Sequence, residues 1–284
     1  MKWEAGRRSI NIEDRRGGGG GLAVGGGLGT VVLALIVAFL GGDPIAVLRG
    51  GAPSGGDYSQ LPSGATSPQE EQLVDFVSVV LGDTEDTWNQ IFQEQIGQPY
   101  QEPKLVLFSG SVDSACGFAQ AAMGPFYCPA DQKVYIDLSF YDDLKTRHQA
   151  PGDFAQAYVI SHEVGHHVQN LLGISDQVHR LQQRVDEADA NQLSVRLELQ
   201  ADCFAGVWAN HAQESRQILE QGDVQEALNA ASQIGDDRLQ MESRGYVTPD
   251  SFTHGSSEQR VRWFQQGIQT GQLEQCNTFD VANP

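Results

Sequence analysis

Two histidines four residues apart form the most informative motif in this chain. His162 and His166, with Glu163 after the first, give H-E-x-x-H within the apolar run 154–173. On a helix, side chains four apart lie on one face, so both imidazoles can reach one metal ion. Zinc suits this set, because it takes nitrogen and oxygen ligands and keeps one position open for water. Glu163 lies beside that face and can accept a proton from this water.

The residues around the motif predict the helix that must carry it. Apolar side chains recur at roughly helical spacing, and Gly173 ends the run. The alternative is a pair of surface histidines that flank a salt-bridging glutamate. The apolar surroundings favour a metal site, because burying unpaired His and Glu side chains is costly. The apolar positions are Phe154, Tyr158, Val159, Val164, Val168, Leu171 and Leu172.

The residues directly after the motif do not supply a third ligand. A metzincin would continue with glycine and then histidine, where this chain has Gln169 and Leu172. His167 follows His166 and points about 100° away from it on a helix. We therefore expect His167 to pack or to support a ligand rather than to bind metal.

A second amphipathic helix, predicted over 191–211, offers the missing ligand. Glu198 and Asp202 are four apart on one face of it, among apolar neighbours. Two like charges in such surroundings repel each other and lose hydration unless a cation lies nearby. We predict that Glu198 is the third zinc ligand and that Asp202 orients a ligand histidine. Two solvated acids on a polar face are the alternative.

These motifs resemble those of known zinc peptidases. H-E-x-x-H followed by E-x-x-x-D resembles the gluzincin pattern of thermolysin and the HtpX-like membrane peptidases. The segments SHEVGHHVQ, ELQADCFAGVW, CGFAQAAMGPFYCPADQKVYIDLSF and THGSSEQRVRWFQQG are more closely similar to the bacterial family of neutral zinc metallopeptidases. The resemblance covers nearly the whole chain, including the apolar run 22–40 near the N-terminus. It implies a zinc-dependent peptidase and leaves the physiological substrate open.

The resemblance also draws attention to His254, just before a helix that runs through Arg260. In the HtpX-like peptidases a T-H-P segment followed by an arginine lies near the site, which suggests a catalytic role for both residues. His254, and less directly Arg260, would stabilise negative charge on the carbonyl oxygen. Asp250 is a candidate to orient His254. Gly255 stands where the related pattern has proline, and a loop histidine without a role is the alternative.

The charge pattern divides the chain into an anchor and an acidic body. Net charge is −19, and the first sixteen residues carry five basic and three acidic groups, which leaves −21 for the remainder. So acidic a body excludes a nucleic-acid partner. The uncharged run 22–40 approaches the length of a membrane-spanning helix. Basic residues before it predict a cytoplasmic N-terminus and a periplasmic or extracytoplasmic body; a cleaved signal peptide is the alternative.

The predicted division is therefore a cytoplasmic segment 1–21, a transmembrane anchor 22–41, a flexible linker 42–68 and a zinc metallopeptidase domain 69–284. Four cysteines in an exported body indicate two disulfides. Three pairings are possible; the short spacing favours Cys116–Cys128, which leaves Cys203–Cys276. A cysteine zinc site is the alternative, although no C-x-x-C spacing is present.

The expected fold class is α+β: a mostly helical zincin-like domain with a small β-sheet, preceded by the transmembrane helix. The runs 104–110 and 133–140 predict strands, and we expect 134–139 to be a sheet edge that pairs with a substrate strand. The expected function is zinc-dependent hydrolysis of a peptide or protein substrate, with the membrane contacted through the N-terminal helix. The alternatives are a zinc-binding interaction module without turnover and a zinc amidohydrolase acting on cell-wall material.

Overall fold

The computed structural model describes residues 1–16, 67–121, 124–282 and 284. Within these ranges the protein is mostly helical with two small sheets, so the expected α+β class is confirmed. The strands are β1 (Ile12–Asp14), β2 (Lys104–Phe108), β3 (Ser111–Ser114), β4 (Gly117–Gln120), β5 (Phe126–Cys128) and β6 (Lys133–Asp137). The helices are α1 (Pro68–Ile91), α2 (Ser139–Thr146), α3 (Asp153–Leu171), α4 (Ile174–Gln182), α5 (Glu187–Arg216), α6 (Asp223–Gln233), α7 (Asp236–Arg244) and α8 (Ser257–Thr270).

The larger sheet has the strand order β1-β2-β6-β5. Strands β1, β2 and β6 are parallel, and β5 runs antiparallel to β6. The prediction that 134–139 forms a sheet edge is wrong, because β6 lies between β2 and β5. Val134, Tyr135 and Ile136 are all buried, as expected of a strand covered on both faces. The edge beyond β6 is β5.

Both predicted disulfides are confirmed. Cys116 lies in the turn of the β3–β4 hairpin and is bonded to Cys128 at the end of β5. Cys203 on α5 is bonded to Cys276 in the C-terminal segment. The first bond ties the small hairpin to the sheet edge, and the second ties the C-terminal segment to α5.

Three helices pack closely because glycines lie at their crossing points. A Cβ at Gly165 of α3 would lie 3.0 Å from the carbonyl oxygen of Ala201 on α5. A Cβ at Gly267 of α8 would lie 2.0 Å from the carbonyl oxygen of Cys203, a separation that real side chains do not tolerate. A Cβ at Gly206 of α5 would likewise lie 2.3 Å from the carbonyl oxygen of Phe264 on α8. These contacts fix α5 between α3 and α8.

The N-terminal segment belongs to the same compact unit as the domain, which contains Met1–Arg15 and Thr66–Pro284. Strand β1 pairs with β2, and Arg7 and Arg8 form ion pairs with Glu85 and Asp75 of α1 at 2.7 and 2.6 Å. The prediction that 1–21 forms a segment separate from the domain is therefore wrong for Met1–Arg15. Local sequence gave no sign of this docking, because the partners of the segment lie about 70 or more residues further along.

The predicted anchor 22–41 lies outside the described residues, as does the linker up to residue 66; its last two residues, Ser67 and Pro68, begin α1. Among the helices of the described ranges, none is both long and apolar enough to span a bilayer. Because β1 and β2 share a sheet, Met1–Arg15 and the domain lie on the same side of any membrane. This conflicts with a cytoplasmic N-terminus opposite an extracytoplasmic domain.

Thiol labelling can test this placement. Ile10 and Met241 are exposed to 93% and 52%, and the four native cysteines are paired, so Ile10→Cys and Met241→Cys each add one reactive thiol. A membrane-impermeant maleimide is added to cells whose outer envelope has been opened and whose inner membrane is intact. We expect the two variants to behave alike, so that both react before lysis or both react only after it. Reaction of Met241→Cys before lysis, with Ile10→Cys reacting only after lysis, would contradict the docked arrangement.

Candidate metal centre

Helices α3 and α5 bring the three predicted ligands together. The Nε2 atoms of His162 and His166 lie 3.2 and 3.3 Å from the two carboxylate oxygens of Glu198. One ligand atom from each residue lies within 4.8 Å of the others. Ligand atoms around a tetrahedral zinc with bonds of about 2.0–2.2 Å are separated by roughly 3.3–3.6 Å. The donor set and its spacing therefore fit zinc.

Both histidine rings are held through their other nitrogen. The Nδ1 atom of His162 is 2.8 Å from Oδ1 of Asp202, and Nδ1 of His166 is 2.9 Å from Oε1 of Gln169. These acceptors favour the proton on Nδ1 and leave each Nε2 with a lone pair for metal. The structure places Asp202 where the sequence analysis expected it. Sequence reasoning missed Gln169, although its place three residues after His166 on one helix was an available signal.

Asp202 is the most heavily bonded group of the site. Its carboxylate accepts hydrogen bonds from the Tyr158 hydroxyl at 2.5 Å and from Nε and Nη2 of Arg260, both at 2.9 Å. Burial alone would raise the pKa of Asp202, but the charges of Arg260 and His162 lower that pKa to about 2. The carboxylate therefore stays ionised inside the protein.

Arg260 has contacts that the sequence did not predict. It lines the cavity, as an expected position near the substrate oxygen requires, but its buried guanidinium group donates to Asp202 and the Tyr158 hydroxyl. With these donors engaged, Arg260 acts behind His162, by holding the carboxylate that holds the ring. The spacing of the sequence could not reveal this, because Asp202 lies 58 residues before Arg260.

The charges of the site favour a bound cation. Burial works to lower the pKa of His162, but Asp202 and Glu198 raise it to about 10. Burial would raise the pKa of Glu198, but His166 and His162 hold it well below its ordinary value. Without metal, the histidines therefore carry protons that a zinc ion would have to displace.

Glu163 lies in the same cavity and is nearly buried. Burial raises the pKa of its carboxyl group, against the opposing charges of His162 and His166. A raised pKa is suited to a group that must take up a proton and release it again. The structure therefore places the predicted base beside the predicted ligands.

His254 also lines the cavity and is half exposed. Its Nδ1 atom is 3.3 Å from Oδ1 of Asp236, and this hydrogen bond raises the pKa of His254 above its ordinary value. Oδ2 of the same aspartate accepts the backbone N–H groups of Thr253 and His254, both at 2.7 Å. The expectation that Asp250 orients His254 is therefore wrong. Asp236, the first residue of α7, does so.

His167 packs as expected and lies away from the ligands. Its Nε2 donates to the carbonyl oxygen of Gln101 at 2.6 Å, so Nδ1 accepts from the Tyr127 hydroxyl at 3.0 Å. Burial lowers the pKa of His167 to about 4, which keeps the ring neutral. This residue therefore connects α3 to the edge strand β5.

A cavity of about 830 Å³ opens onto the metal ligands. Strand β5 and the residues just before it line one wall, and α4, α7 and the loop before α8 contribute to the rest. The cavity residues with a proposed chemical role are His162, Glu163, His166, Glu198 and His254. Ligands, base and a further polar group thus share one open space.

A second acidic cluster lies at the start of α3. Asp153, Asp223 and Glu226 are close enough to one another to hold a cation. The α-amino group of Met1 lies between them, at 2.7 Å from both oxygens of Asp153 and 3.5 Å from Oδ1 of Asp223. The positive charge of this cluster is therefore supplied by the protein.

Two histidines and a glutamate on adjacent helices, with a second glutamate beside them, define a zinc metallopeptidase type of site. The family model described as "Putative neutral zinc metallopeptidase" matches residues 1–279, and the chain belongs to that family. YpfJ of Escherichia coli (strain K12) is 52% identical over 289 residues, which span 98% of this chain and 99% of that protein. Rv2575 of Mycobacterium tuberculosis (strain H37Rv) is 41% identical over 262 residues, 86% of this chain and 85% of that protein. No solved structure was found to match.

Replacing Arg260 should destabilise the protein through Asp202. Arg260→Met leaves a buried carboxylate without its positive partner, which costs about 3–5 kcal/mol in the free energy of unfolding. The wild-type Asp202 contributes stability that is present above its ordinary pKa of 3.8 and is lost as pH falls toward its pKa of about 2. In Arg260→Met the pKa of Asp202 should rise, so the stability lost between pH 3.8 and about pH 2 should be smaller than in the wild type.

Denaturant unfolding of the metal-free protein from neutral pH down to about pH 2 measures both effects. Arg262→Met is the matched control, because Arg262 is exposed on the same helix. Equal stability of the two variants would contradict the role assigned to Arg260.

Proposed function

We propose that this protein is a zinc-dependent peptidase that hydrolyses peptide bonds. The observation that carries the proposal is that three residues able to hold a metal ion and the buried Glu163 meet in one open cavity. A zinc site that only stabilises structure needs neither an open cavity nor a neighbouring base. The family to which the chain belongs supports the same reaction class.

Zinc held by His162, His166 and Glu198 would supply a Lewis acid that acidifies water and polarises the scissile carbonyl. Glu163 accepts a proton from the attacking water and delivers it to the nitrogen of the leaving amine. Asp202 and Gln169 keep the ligand rings in orientation. His162, Glu163, Asp202 and Gln169 are buried, whereas His166 and Glu198 are partly exposed to the cavity.

His254 is the residue we propose to stabilise the charge on the carbonyl oxygen. Asp236 holds its Nδ1 and raises its pKa, which keeps a proton available on the ring over a wider pH range. A protonated ring can donate a hydrogen bond from Nε2 to an oxygen that becomes negative. Arg260 supports the ligands instead.

Strand β5 is the edge at which we propose that substrate lies. Phe126 and Tyr127 line the cavity, and among the described residues β5 is an edge strand of its sheet, paired with β6. An extended peptide can add to such an edge through backbone hydrogen bonds. Strand β5 thus takes the place of 134–139 as the proposed partner of a substrate strand, for the same reason, that a sheet edge can bind an extended peptide.

We further propose that the domain works outside the cytoplasm and is attached to a membrane. Two disulfides within the described residues support an oxidising compartment. The attachment rests on the apolar run at 22–40. Because Met1–Arg15 docks on the domain, we propose attachment of this run from the domain's side rather than by a single crossing of the bilayer.

Glu163→Gln should abolish most peptide hydrolysis and leave zinc bound, since only the base is lost. We expect a fall of about 10²–10⁴-fold in turnover. Glu198→Ala removes a ligand, so its loss of zinc affinity should exceed the roughly 10–100-fold typical of losing an outer partner. The measurements are a peptide-library digest and metal analysis after dialysis.

A wild type that binds zinc but cleaves neither peptides nor cell-wall amides would instead favour an interaction module. Cleavage of cell-wall material alone would favour the amidohydrolase. Glu198→Ala that retains zinc like the wild type would show that the ligand set is wrong.

His254→Ala should lower turnover by roughly 10²–10³-fold, the usual cost of one lost oxyanion donor. The Michaelis constant and zinc content should change little, because the contact forms only as charge develops. Asp236→Asn should show a smaller defect of the same kind. His179→Ala is the matched control, an exposed histidine on the rim of the same cavity. Wild-type turnover in His254→Ala would remove His254 from the mechanism.

A further inference from the structure

We propose that Gln169 and Gln200 position the ligand His166 and connect its ring to the Cys203–Cys276 disulfide. The proposal rests on the metal site of the proposed function and assigns two residues to it. It is carried by an unbroken series of hydrogen bonds among buried groups, which runs from the His166 ring to the carbonyl group of Cys276.

The first step is the bond between Gln169 and the His166 ring. Oε1 of Gln169 is 2.9 Å from Nδ1 of His166, and Gln169 itself has no solvent exposure. A neutral amide oxygen can only accept, so the Nδ1–H of the ring must donate. This contact fixes the tautomer of His166 and aims its Nε2 at the carboxylate of Glu198. It does for His166 what Asp202 does for His162.

The second step connects Gln169 to α5. Nε2 of Gln169 donates to the carbonyl oxygen of Leu197 at 2.7 Å and to Oε1 of Gln200 at 3.1 Å. Leu197 directly precedes the ligand Glu198. One buried amide therefore holds the ring of a ligand on α3 and the backbone beside a ligand on α5. This sets the position of the two ligand-bearing helices at the metal centre.

The third step connects Gln200 to the C-terminal segment. Nε2 of Gln200 donates to the carbonyl oxygen of Cys276 at 3.0 Å, and Gln200 is buried. Cys276 is bonded to Cys203, which follows Asp202 on α5. The disulfide therefore keeps the acceptor of Gln200 in place. Losing it would remove the covalent tie between this carbonyl group and α5, and a shift of the carbonyl group would leave a buried amide without its partner, which is unfavourable.

Zinc affinity is the direct readout, measured by competition with a chromophoric chelator. Gln169→Leu removes the acceptor of the ring and should weaken zinc binding by about 10–100-fold, as for other outer partners of ligand histidines. Gln200→Leu should weaken it less, because Gln169 keeps its bonds to His166 and Leu197. Gln213→Leu is the matched control on the same helix. The side-chain oxygen of Gln213 accepts a backbone N–H, from Leu219 at 2.9 Å, and contacts no residue of the metal centre in the described hydrogen bonds.

Gln169→Glu separates positioning from general packing. A carboxylate still accepts from Nδ1 of His166, so zinc affinity should remain close to that of the wild type. Unlike leucine, glutamate buries a charge and places a carboxylate oxygen against the carbonyl oxygen of Leu197, so the metal-free protein should be less stable than Gln169→Leu. Gln169→Glu should thus bind zinc more tightly than Gln169→Leu, although it should be the less stable of the two in the metal-free form. If zinc affinity follows stability, or if both variants lose it equally, the positioning role is wrong.

The two disulfides provide a second matched pair. Cys203→Ala with Cys276→Ala should weaken zinc binding and alter the visible spectrum of the cobalt-substituted protein. Cys116→Ala with Cys128→Ala removes the disulfide of the hairpin and should change neither. Equal effects of the two pairs would overturn the link to Cys276. If the first pair fails to fold, Gln200→Leu decides the same link, and its wild-type affinity would overturn it.

These outcomes are distinct from failure of the proposed function. A wild type that binds no zinc removes the metal centre and this inference with it. A wild type that binds zinc, together with a Gln169→Leu variant that binds it equally well, overturns this inference and leaves the proposed peptidase intact.

Discussion

The buried carboxylate of Asp202 is the group on which the arrangement of the site depends. It accepts hydrogen bonds from Tyr158 and His162 of α3 and from Arg260 of α8. An ionised carboxylate is tolerated in a protein interior only when its lone pairs are satisfied and an opposite charge lies beside it. The three helices must therefore keep one mutual placement. That placement also brings Glu198 against the two ligand histidines.

Close backbone contact makes this placement possible. Gly165 lets α3 approach α5 near the H-E-x-x-H motif, and Gly206 and Gly267 let α5 approach α8. Side chains at these positions would separate the helices and lengthen the bonds to Asp202. Two residues behind the candidate ligands each orient one histidine ring: Asp202 holds His162, and Gln169 holds His166. An anionic acceptor serves one ring and a neutral acceptor the other, which limits the negative charge collected around Glu198.

The helices carry the candidate metal ligands and Glu163, whereas the edge of the larger sheet and the loops around it line the cavity. Strand β5 lines the cavity, and the Tyr127–His167 contact ties that edge to α3. On another side, Asp236 at the start of α7 holds the His254 loop by two backbone N–H groups and the ring. The walls of the cavity are thus held by hydrogen bonds to helices α3 and α7, the first of which carries two of the candidate ligands.

Helical periodicity is local, so the sequence alone determined that His162 and His166 share a face and that Glu198 and Asp202 share another. The apolar surroundings of two nearby acids indicated the metal, and the short Cys116–Cys128 spacing indicated the disulfide pairing. Tertiary structure decided what depends on contacts between distant elements. It placed Arg260 on Asp202, Asp236 rather than Asp250 on His254, β5 rather than β6 at the edge, and Ile12–Asp14 in the sheet. Each of these partners is far away in the chain or is one of several equivalent candidates, and only the packing of the whole domain selects among them.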